Sequence, residues 1–166
     1  MKKILYILTF FMSHLFAVQH CHIESGWCYD VSVFQAFYMF HNTSISLNYE
    51  SEDGLIENGD VAGAFVKDEN DNDVCIGYVE IGSENNPDGN GIITIPVMGL
   101  SDDTPDYIEQ GDMPIIKMYD FSTDIEVCVT TSGYDLPEWN NGEINNLHGL
   151  FGYPLTILIG NDQDCD

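Results

Sequence analysis

The sequence contains no arginine and only four lysines, against 28 aspartates and glutamates in 166 residues. Its formal net charge is −24. A surface of that sign repels a phosphate backbone, which proteins bind by displacing counterions with clustered lysine and arginine. The composition therefore argues against nucleic acid and anionic membranes as partners. It favours a solvated acidic surface, which a salty medium tolerates because salt screens the repulsion.

Helical periodicity is also missing from the sequence. Short apolar runs rich in β-branched and aromatic residues alternate with loops rich in glycine, aspartate and asparagine, which is typical of strands joined by turns. Seven or eight such runs predict an all-β fold, an antiparallel β-sandwich that is Ig-like or jelly-roll-like.

The clearest predicted element is a hairpin of two runs, 60–66 and 74–81, around the polar segment 67–73. Gly63 and Gly77 inside these runs would be costly in a helix. A second hairpin is predicted at 112–121 and 124–131, and Trp139 is a candidate anchor in the polar segment 133–149. The other predicted strands are 31–40, 44–49, 91–98 and 155–159.

The first 17 residues have the order of a secretory signal peptide. Lys2 and Lys3 precede an apolar stretch that ends at the small residue Ala17. The stretch is too short for a membrane-spanning helix, which needs roughly 20 apolar residues. We therefore expect an extracellular or cell-surface protein with no transmembrane segment after cleavage. The expected organisation is a signal peptide (1–17), an N-terminal lead-in (18–30), a β-sandwich domain (31–160) and an acidic tail (161–166).

Five cysteines follow the predicted signal peptide, and an exported chain meets oxidising conditions in which disulfides form. Cys21 and Cys28 could close a small loop, and Cys75 and Cys128 could bridge two core strands. Because the number is odd, at least one thiol is unpaired or pairs outside this chain, and the sequence does not fix the connectivity. A transition-metal site at His20, Cys21 and His22 is the weaker interpretation, because we expect the lead-in to be a tract without fixed geometry.

Calcium is the candidate cofactor. Asp68, Asn70, Asp71 and Asp73 place hard oxygen ligands in one short loop, which suits a cation that prefers six to eight oxygens. The EF-hand pattern fails, since the sixth position is Asp73 and the twelfth is Val79 instead of glycine and glutamate. The alternative is a solvated hairpin tip that binds no metal.

No catalytic residues are assigned. The sequence has no G-x-S-x-G motif and no histidine near a plausible nucleophile, and paired carboxylates always occur among so many acids. Strand alternation places Lys117 on the face of Ile115 and Tyr119, opposite Ile116 and Met118. We expect an ion-paired structural lysine there, with Asp60 and Asp120 as candidate partners.

Several phrases of the sequence together resemble an extracellular module of marine and Bacteroidetes-like bacteria, which has the pattern QAFYFF, GDxxGAF, CVG, PVMG and GDxPTFKIYD. This chain has QAFYMF at 35–40, GDVAGAF at 59–65, CIG at 75–77, PVMG at 96–99, and GDMP at 111–114 before KMYD at 117–120. The resemblance implies a β-sandwich surface module of a large secreted or surface protein, and it brings no catalytic residues. Related modules often carry extra cysteines between the positions of Cys75 and Pro96, where this chain has none.

We therefore expect a secreted or cell-surface acidic β-sandwich module with a structural or adhesive role and no enzymatic activity. The expected partners are other extracellular or surface proteins, or polysaccharide. The first alternative is a carbohydrate-binding module that uses exposed aromatic side chains and calcium. The second alternative is a secreted hydrolase.

Overall fold

The computed structural model describes residues 19–41, 45–47, 56–82, 91–131, 135–147 and 155–157. These residues form eleven β-strands and no helix. The predicted signal peptide and acidic tail lie outside the described residues. The strands are β1 (Gln19–Cys21), β2 (Cys28–Asp30), β3 (Gln35–His41), β4 (Ile45–Leu47), β5 (Val61–Lys67), β6 (Asp73–Glu80), β7 (Ile92–Met98), β8 (Ile115–Asp120), β9 (Ile125–Thr131), β10 (Ile144–Asn146) and β11 (Leu155–Ile157).

The strands form three sheets: β1–β2, β10–β3–β7, and a six-stranded sheet in the order β4–β11–β9–β8–β5–β6. The three-stranded and six-stranded sheets share one apolar core, so the predicted all-β sandwich is confirmed. Most strand pairs are antiparallel, as expected. Two short strands differ, because β10 runs parallel to β3 and β11 runs parallel to β4. The largest side chains of that core with less than 2% exposure are Tyr38, Phe40, Ile76, Ile93, Ile95, Ile108, Ile116 and Met118.

Both predicted hairpins are present. β5 pairs with β6 from Val61 opposite Glu80 to Lys67 opposite Asp73. β8 pairs with β9 and turns at 121–124. A β-carbon at Gly77 would lie 1.7 Å from the carbonyl oxygen of Pro96, so only glycine lets β6 pass this close to β7. That close approach joins the two sheets at one corner of the sandwich.

The outer face of the six-stranded sheet carries a second, smaller apolar cluster. Its buried members are Trp27, Val61, Phe65, Cys75 and Tyr119. Alternation along β8 is as predicted, because Ile116 and Met118 face the main core while Tyr119 lies in this outer cluster. The hairpin β1–β2 covers the cluster and supplies Trp27.

Of two predictions about the N-terminal lead-in, one is confirmed and the other is wrong. A disulfide joins Cys21 to Cys28 and closes the β1–β2 hairpin, as expected for the small loop. The prediction that the lead-in has no fixed geometry is wrong, since these residues form strands and bury Trp27 to 6% exposure.

The predicted bridge between Cys75 and Cys128 is also wrong. Cys75 is a buried free thiol, whereas Cys128 is disulfide-bonded. The reason is the strand order: β6 and β9 lie three strand spacings apart, about 14 Å. The α-carbons of a disulfide rarely lie more than about 7 Å apart.

Candidate functional site: an aromatic groove and a buried ion cluster

The hairpin β1–β2 (the N-terminal hairpin) is the element that shapes the candidate site. Its strands pair from Gln19 opposite Asp30 to Cys21 opposite Cys28. Its loop is closed by the backbone N–H of His22, which donates to the carbonyl oxygen of Trp27 at 2.8 Å. The N–H of Gly26 returns to the carbonyl oxygen of His22 at 3.0 Å. The disulfide and these bonds give a rigid loop that holds Trp27 in place.

Trp27 fixes the N-terminal hairpin to the six-stranded sheet. Its ring meets that of Phe65 edge to face, with centroids 5.0 Å apart. A β-carbon at Gly63 would lie 2.7 Å from the Trp27 ring, so the missing side chain of Gly63 leaves the space that the indole occupies. Trp139, the chain's other tryptophan, also packs against a glycine. A β-carbon at Gly99 would lie 2.3 Å from its buried ring.

A groove of about 880 Å³ lies between the N-terminal hairpin and strands β6 and β7. Aromatic rings form much of one wall. The rings of His20 and Tyr29 stack with centroids 5.3 Å apart, and Tyr29 meets Tyr78 edge to face, also at 5.3 Å. The groove is lined by His20, Cys21, His22, Ile23, Glu24, Tyr29, Phe37, Gly59, Tyr78, Val79, Glu80, Thr94, Pro96 and Phe121.

The polar side chains that line the groove are hydrogen-bond donors and acceptors, and no lysine is among them. Glu24 and Glu80 contribute carboxylates to its lining. Burial raises the pKa of the Tyr29 hydroxyl. Burial is the main cause that raises the pKa of Tyr78, and nearby groups that include Glu80 raise it further. Both phenols therefore keep their protons at neutral pH and can donate hydrogen bonds to a ligand's oxygen atoms.

A serine, a histidine and a glutamate lie together in the loop of the N-terminal hairpin. Ser25 Oγ is 2.9 Å from His22 Nδ1, and Glu24 Oε2 is 3.5 Å from His22 Nε2. The backbone N–H of Ser25 also donates to His22 Nδ1 at 3.2 Å. Ser25 Oγ in turn accepts the backbone N–H of Trp27 at 3.3 Å. These hydrogen bonds close a tight turn. This structural role accounts for the contacts among His22, Glu24 and Ser25.

An ion cluster around the buried Lys117 lies under Trp27 on the same face of the sheet. Lys117, only 3% exposed, places Nζ 2.6 Å from Asp73 Oδ2 and 2.5 Å from Glu126 Oε1. Lys67 Nζ lies 3.2 Å from the other oxygen of Asp73. Both lysines that follow the predicted signal peptide therefore meet at one carboxylate. The ring of Phe65 lies 5.1 Å from the Lys117 ammonium and gives it a cation–π contact.

The cluster is charged in the folded chain. Burial opposes ionisation of Asp73, but hydrogen bonds and charge from Lys117 and Lys67 outweigh it and hold the pKa of Asp73 below its usual range. Burial likewise works against the Lys117 ammonium, yet the hydrogen bonds to Asp73 and Glu126 raise its pKa. A lysine this buried is stable only because two carboxylates contact it.

The predicted ion-pair partners of Lys117 were wrong. Asp60 accepts the backbone N–H groups of Glu57 and Phe121, at 2.8 and 3.1 Å. Asp120 accepts bonds from the turn that follows β8, including the backbone N–H of Ser122 at 2.8 Å. Each buried aspartate therefore serves a nearby turn. The long lysine side chain instead reaches Asp73 at the start of β6 and Glu126 on β9.

The residues predicted to bind calcium all lie in the β5–β6 loop or at its end. Asp68 Oδ1 accepts the backbone N–H groups of Asn70 and Asn72, each at 2.8 Å. Hydrogen bonds led by the Asn72 side chain hold the pKa of Asp68 below its usual value. Asp71 adopts a left-handed conformation with φ of 67°, which aspartate tolerates in turns. Asp73 is the residue that contacts the two lysines.

The calcium site therefore stays a prediction. No three histidine, cysteine, aspartate or glutamate side chains are grouped to hold a metal ion within the described ranges. The weaker metal interpretation at the lead-in loses a ligand, because Cys21 is oxidised in the disulfide. His20 instead stacks on Tyr29.

Sequence reasoning missed the groove and the role of Trp27. Two signals for them are present in the sequence. Cys21 and Cys28 bracket a short loop with Trp27 at its end, as in a closed hairpin that presents an aromatic side chain. Gly63 interrupts an otherwise apolar strand, which often marks the close approach of another group.

Comparisons with protein-family models, curated proteins and solved structures find no match to this chain. The resemblance to the extracellular module therefore stays a prediction. In the part of the chain that the structure describes, no helix is long and apolar enough to cross a membrane.

Proposed function

We propose that this chain is an extracellular, non-catalytic module that acts in structure or adhesion at a cell surface. The aromatic groove is its contact surface. The observation that carries the proposal is the N-terminal hairpin, which a disulfide closes and a buried tryptophan anchors. The anchored hairpin forms one side of a concave surface that carries exposed and half-buried aromatic rings. Binding sites are typically concave surfaces of this kind, supported by a stable fold.

The acidic surface supports the choice of partner. With a net charge of −24 and two carboxylates in the groove, the chain suits a neutral or cationic partner over an anionic one. The disulfide fits an oxidising compartment, where an extracellular protein resides. Surface proteins and uncharged polysaccharides both meet this description.

A carbohydrate ligand is the second candidate, and the three-ring wall of the groove favours it. Sugar rings present C–H groups that pack on aromatic faces, and their hydroxyl groups bond to carboxylates and phenols. His20, Tyr29 and Tyr78 supply rings, while Glu24 and Glu80 supply acceptors.

A glycan array separates the two candidates. The purified chain is labelled and screened with calcium and again with a chelator. Binding to neutral glycans that Tyr78→Ala abolishes and Phe34→Ala preserves would establish the carbohydrate function, since Phe34 is 42% exposed but does not line the groove. Loss of binding in the chelator would assign calcium a role, and Asp71→Ala should then reproduce that loss. An empty array in both conditions leaves protein adhesion as the function.

A further inference from the structure

The ion cluster at Lys117 brings an amine and carboxyl groups, which can condense to an amide, into direct contact. One amine lies within hydrogen-bond distance of two carboxylates from two different strands, at 2.6 and 2.5 Å. The amine is almost fully buried, and Trp27 covers the cluster by donating from Nε1 to Glu126 Oε2 at 3.0 Å. A hydrophobic residue could fill this space without the cost of burying charges.

We propose that Lys117 and Asp73 form an intramolecular amide bond in the folded chain, with Glu126 as the proton carrier. The bond would join Nζ of Lys117 to the side-chain carboxyl carbon of Asp73. It would link β8 to β6 across β5. Nothing outside the chain is required for this reaction.

The reaction balances with the groups present. A proton passes from the Lys117 ammonium to the Asp73 carboxylate within their hydrogen bond, which leaves a neutral amine beside a neutral carboxylic acid. The nitrogen lone pair attacks the carboxyl carbon, and Glu126 takes the second proton from nitrogen. Glu126 then returns that proton to the departing hydroxyl group. One C–N bond forms, one C–O bond breaks, one water molecule leaves, and no group is oxidised or reduced.

The charged pair is the resting state, because the contacts between lysines and carboxylates lower the pKa of Asp73 and raise that of Lys117, although burial opposes both charges. Within that pair, the hydrogen bond of 2.6 Å gives the proton a direct path from nitrogen to oxygen. Holding the amine against the carboxyl group also converts a reaction between separate molecules into one within a fixed pair, which accelerates such steps by large factors.

Asp73 is the better acceptor of the two carboxylates. Its side chain is 25% exposed, whereas that of Glu126 is 40% exposed. Lys67 lies 3.2 Å from Asp73 Oδ1 and would stabilise the negative charge that develops on this oxygen during the attack. The indole of Trp27 holds Glu126 in the orientation that a proton carrier needs.

The cross-link would matter for a surface module. Lys117 and Asp73 are 44 residues apart in sequence, so the bond would close a large loop that includes β6, β7 and the start of β8. Force applied at the termini could not then separate these strands. The inference depends only on the ion cluster and is independent of what the groove binds.

Intact-mass spectrometry of the reduced, denatured chain tests the proposal. The expected mass is lower than the sequence mass by one water molecule, and a protease digest should contain one branched fragment joining the peptides of Lys117 and Asp73. Lys117→Arg keeps the positive charge but cannot form the bond, so it should show the full mass. Lys67→Arg removes the only other amine in contact with Asp73 in the described residues and keeps its charge, so the mass deficit should persist. Glu126→Gln should leave the deficit incomplete in freshly folded protein.

Three results would overturn the proposal. The first is a wild-type chain of full mass, a measurement that needs no variant to fold. The second is a mass deficit that survives in Lys117→Arg, which would indicate dehydration elsewhere, for example at the Asp-Gly steps 53–54 or 88–89. The third is a branched fragment that joins Lys117 to Glu126 or Lys67 to Asp73.

Discussion

The indole Nε1 of Trp27 donates a hydrogen bond of 3.0 Å to Glu126, a residue 99 positions further along the chain. The other oxygen of the Glu126 carboxylate, Oε1, lies 2.5 Å from Nζ of Lys117. The N-terminal hairpin, which forms a wall of the groove, is therefore connected directly to the ion cluster of the sheet. A change in either part should be measurable in the other.

Gly63→Ala should destabilise the chain through Trp27. The added β-carbon would lie 2.7 Å from the indole and 2.9 Å from the ring of Phe65, so both rings would have to move. Overpacking of this kind costs about 1–3 kcal/mol in the free energy of unfolding. Urea denaturation followed by tryptophan fluorescence measures it.

A double-mutant cycle supplies the control for Gly63. In a Trp27→Ala background the main clash is absent, so Gly63→Ala should cost much less than it does in the wild type. Equal costs in the two backgrounds would show that Trp27 does not occupy the space beside Gly63.

Two aspartates should affect the pH dependence of stability in opposite directions. Burial of Asp120 is outweighed by hydrogen bonds from Ser122 and Thr123, which lower its pKa, so its contribution is lost as the pH falls below about 3.9, the ordinary value, through the folded-state pKa. Burial raises the pKa of Asp60. It outweighs the hydrogen bonds from two backbone N–H groups, which lower this pKa. Its contribution is therefore full below about 3.9 and is lost as the pH rises through the folded-state pKa.

Urea unfolding across the acid range distinguishes the two effects. Asp120→Asn should flatten the loss of stability on acidification, and Asp60→Asn should remove a loss that occurs on raising the pH. Identical slopes in both variants would contradict the assigned environments.

Cys75 should be chemically inert while the chain is folded. Burial is the main cause that raises the pKa of its thiol to about 12, so almost no thiolate is present at neutral pH. Iodoacetamide should label Cys75 only after denaturation, and peptide mapping locates the label. Fast labelling of the native chain at Cys75 would place this thiol at the surface instead.

Local patterns in the sequence were enough to predict the hairpins, the sandwich and the face of Lys117. Alternation within β8 decides which side a residue faces, and an Asp/Asn-rich turn between apolar runs decides which strands pair. The partners of Lys117 depend on register across β5 and on the length of the side chain, which no local pattern encodes. The N-terminal hairpin escaped prediction because its strands have only three residues each, with β1 exposed and β2 half-buried. Its stability comes from the disulfide and from Trp27.

The Cys21–Cys28 disulfide should contribute to both stability and the shape of the groove. Replacing both cysteines with serine removes a cross-link over a short loop, and we expect a loss of about 2 kcal/mol in the free energy of unfolding. The ring stacking of His20 on Tyr29 should loosen with it. Denaturation of the double variant beside the wild type measures the first effect, and unchanged stability would show that the hairpin is held by Trp27 alone.

The central claim is that the aromatic groove is the adhesive surface. Microspheres coated with the chain can be tested for attachment to a panel of surfaces carrying neutral polysaccharides or extracellular proteins, alongside Tyr78→Ala and Phe34→Ala variants of matched melting temperature. We expect wild-type and Phe34→Ala microspheres to attach to at least one surface, and we expect Tyr78→Ala to reduce this attachment at least several-fold. Attachment that is equal for all three proteins, or absent for the wild type on every surface, would contradict it.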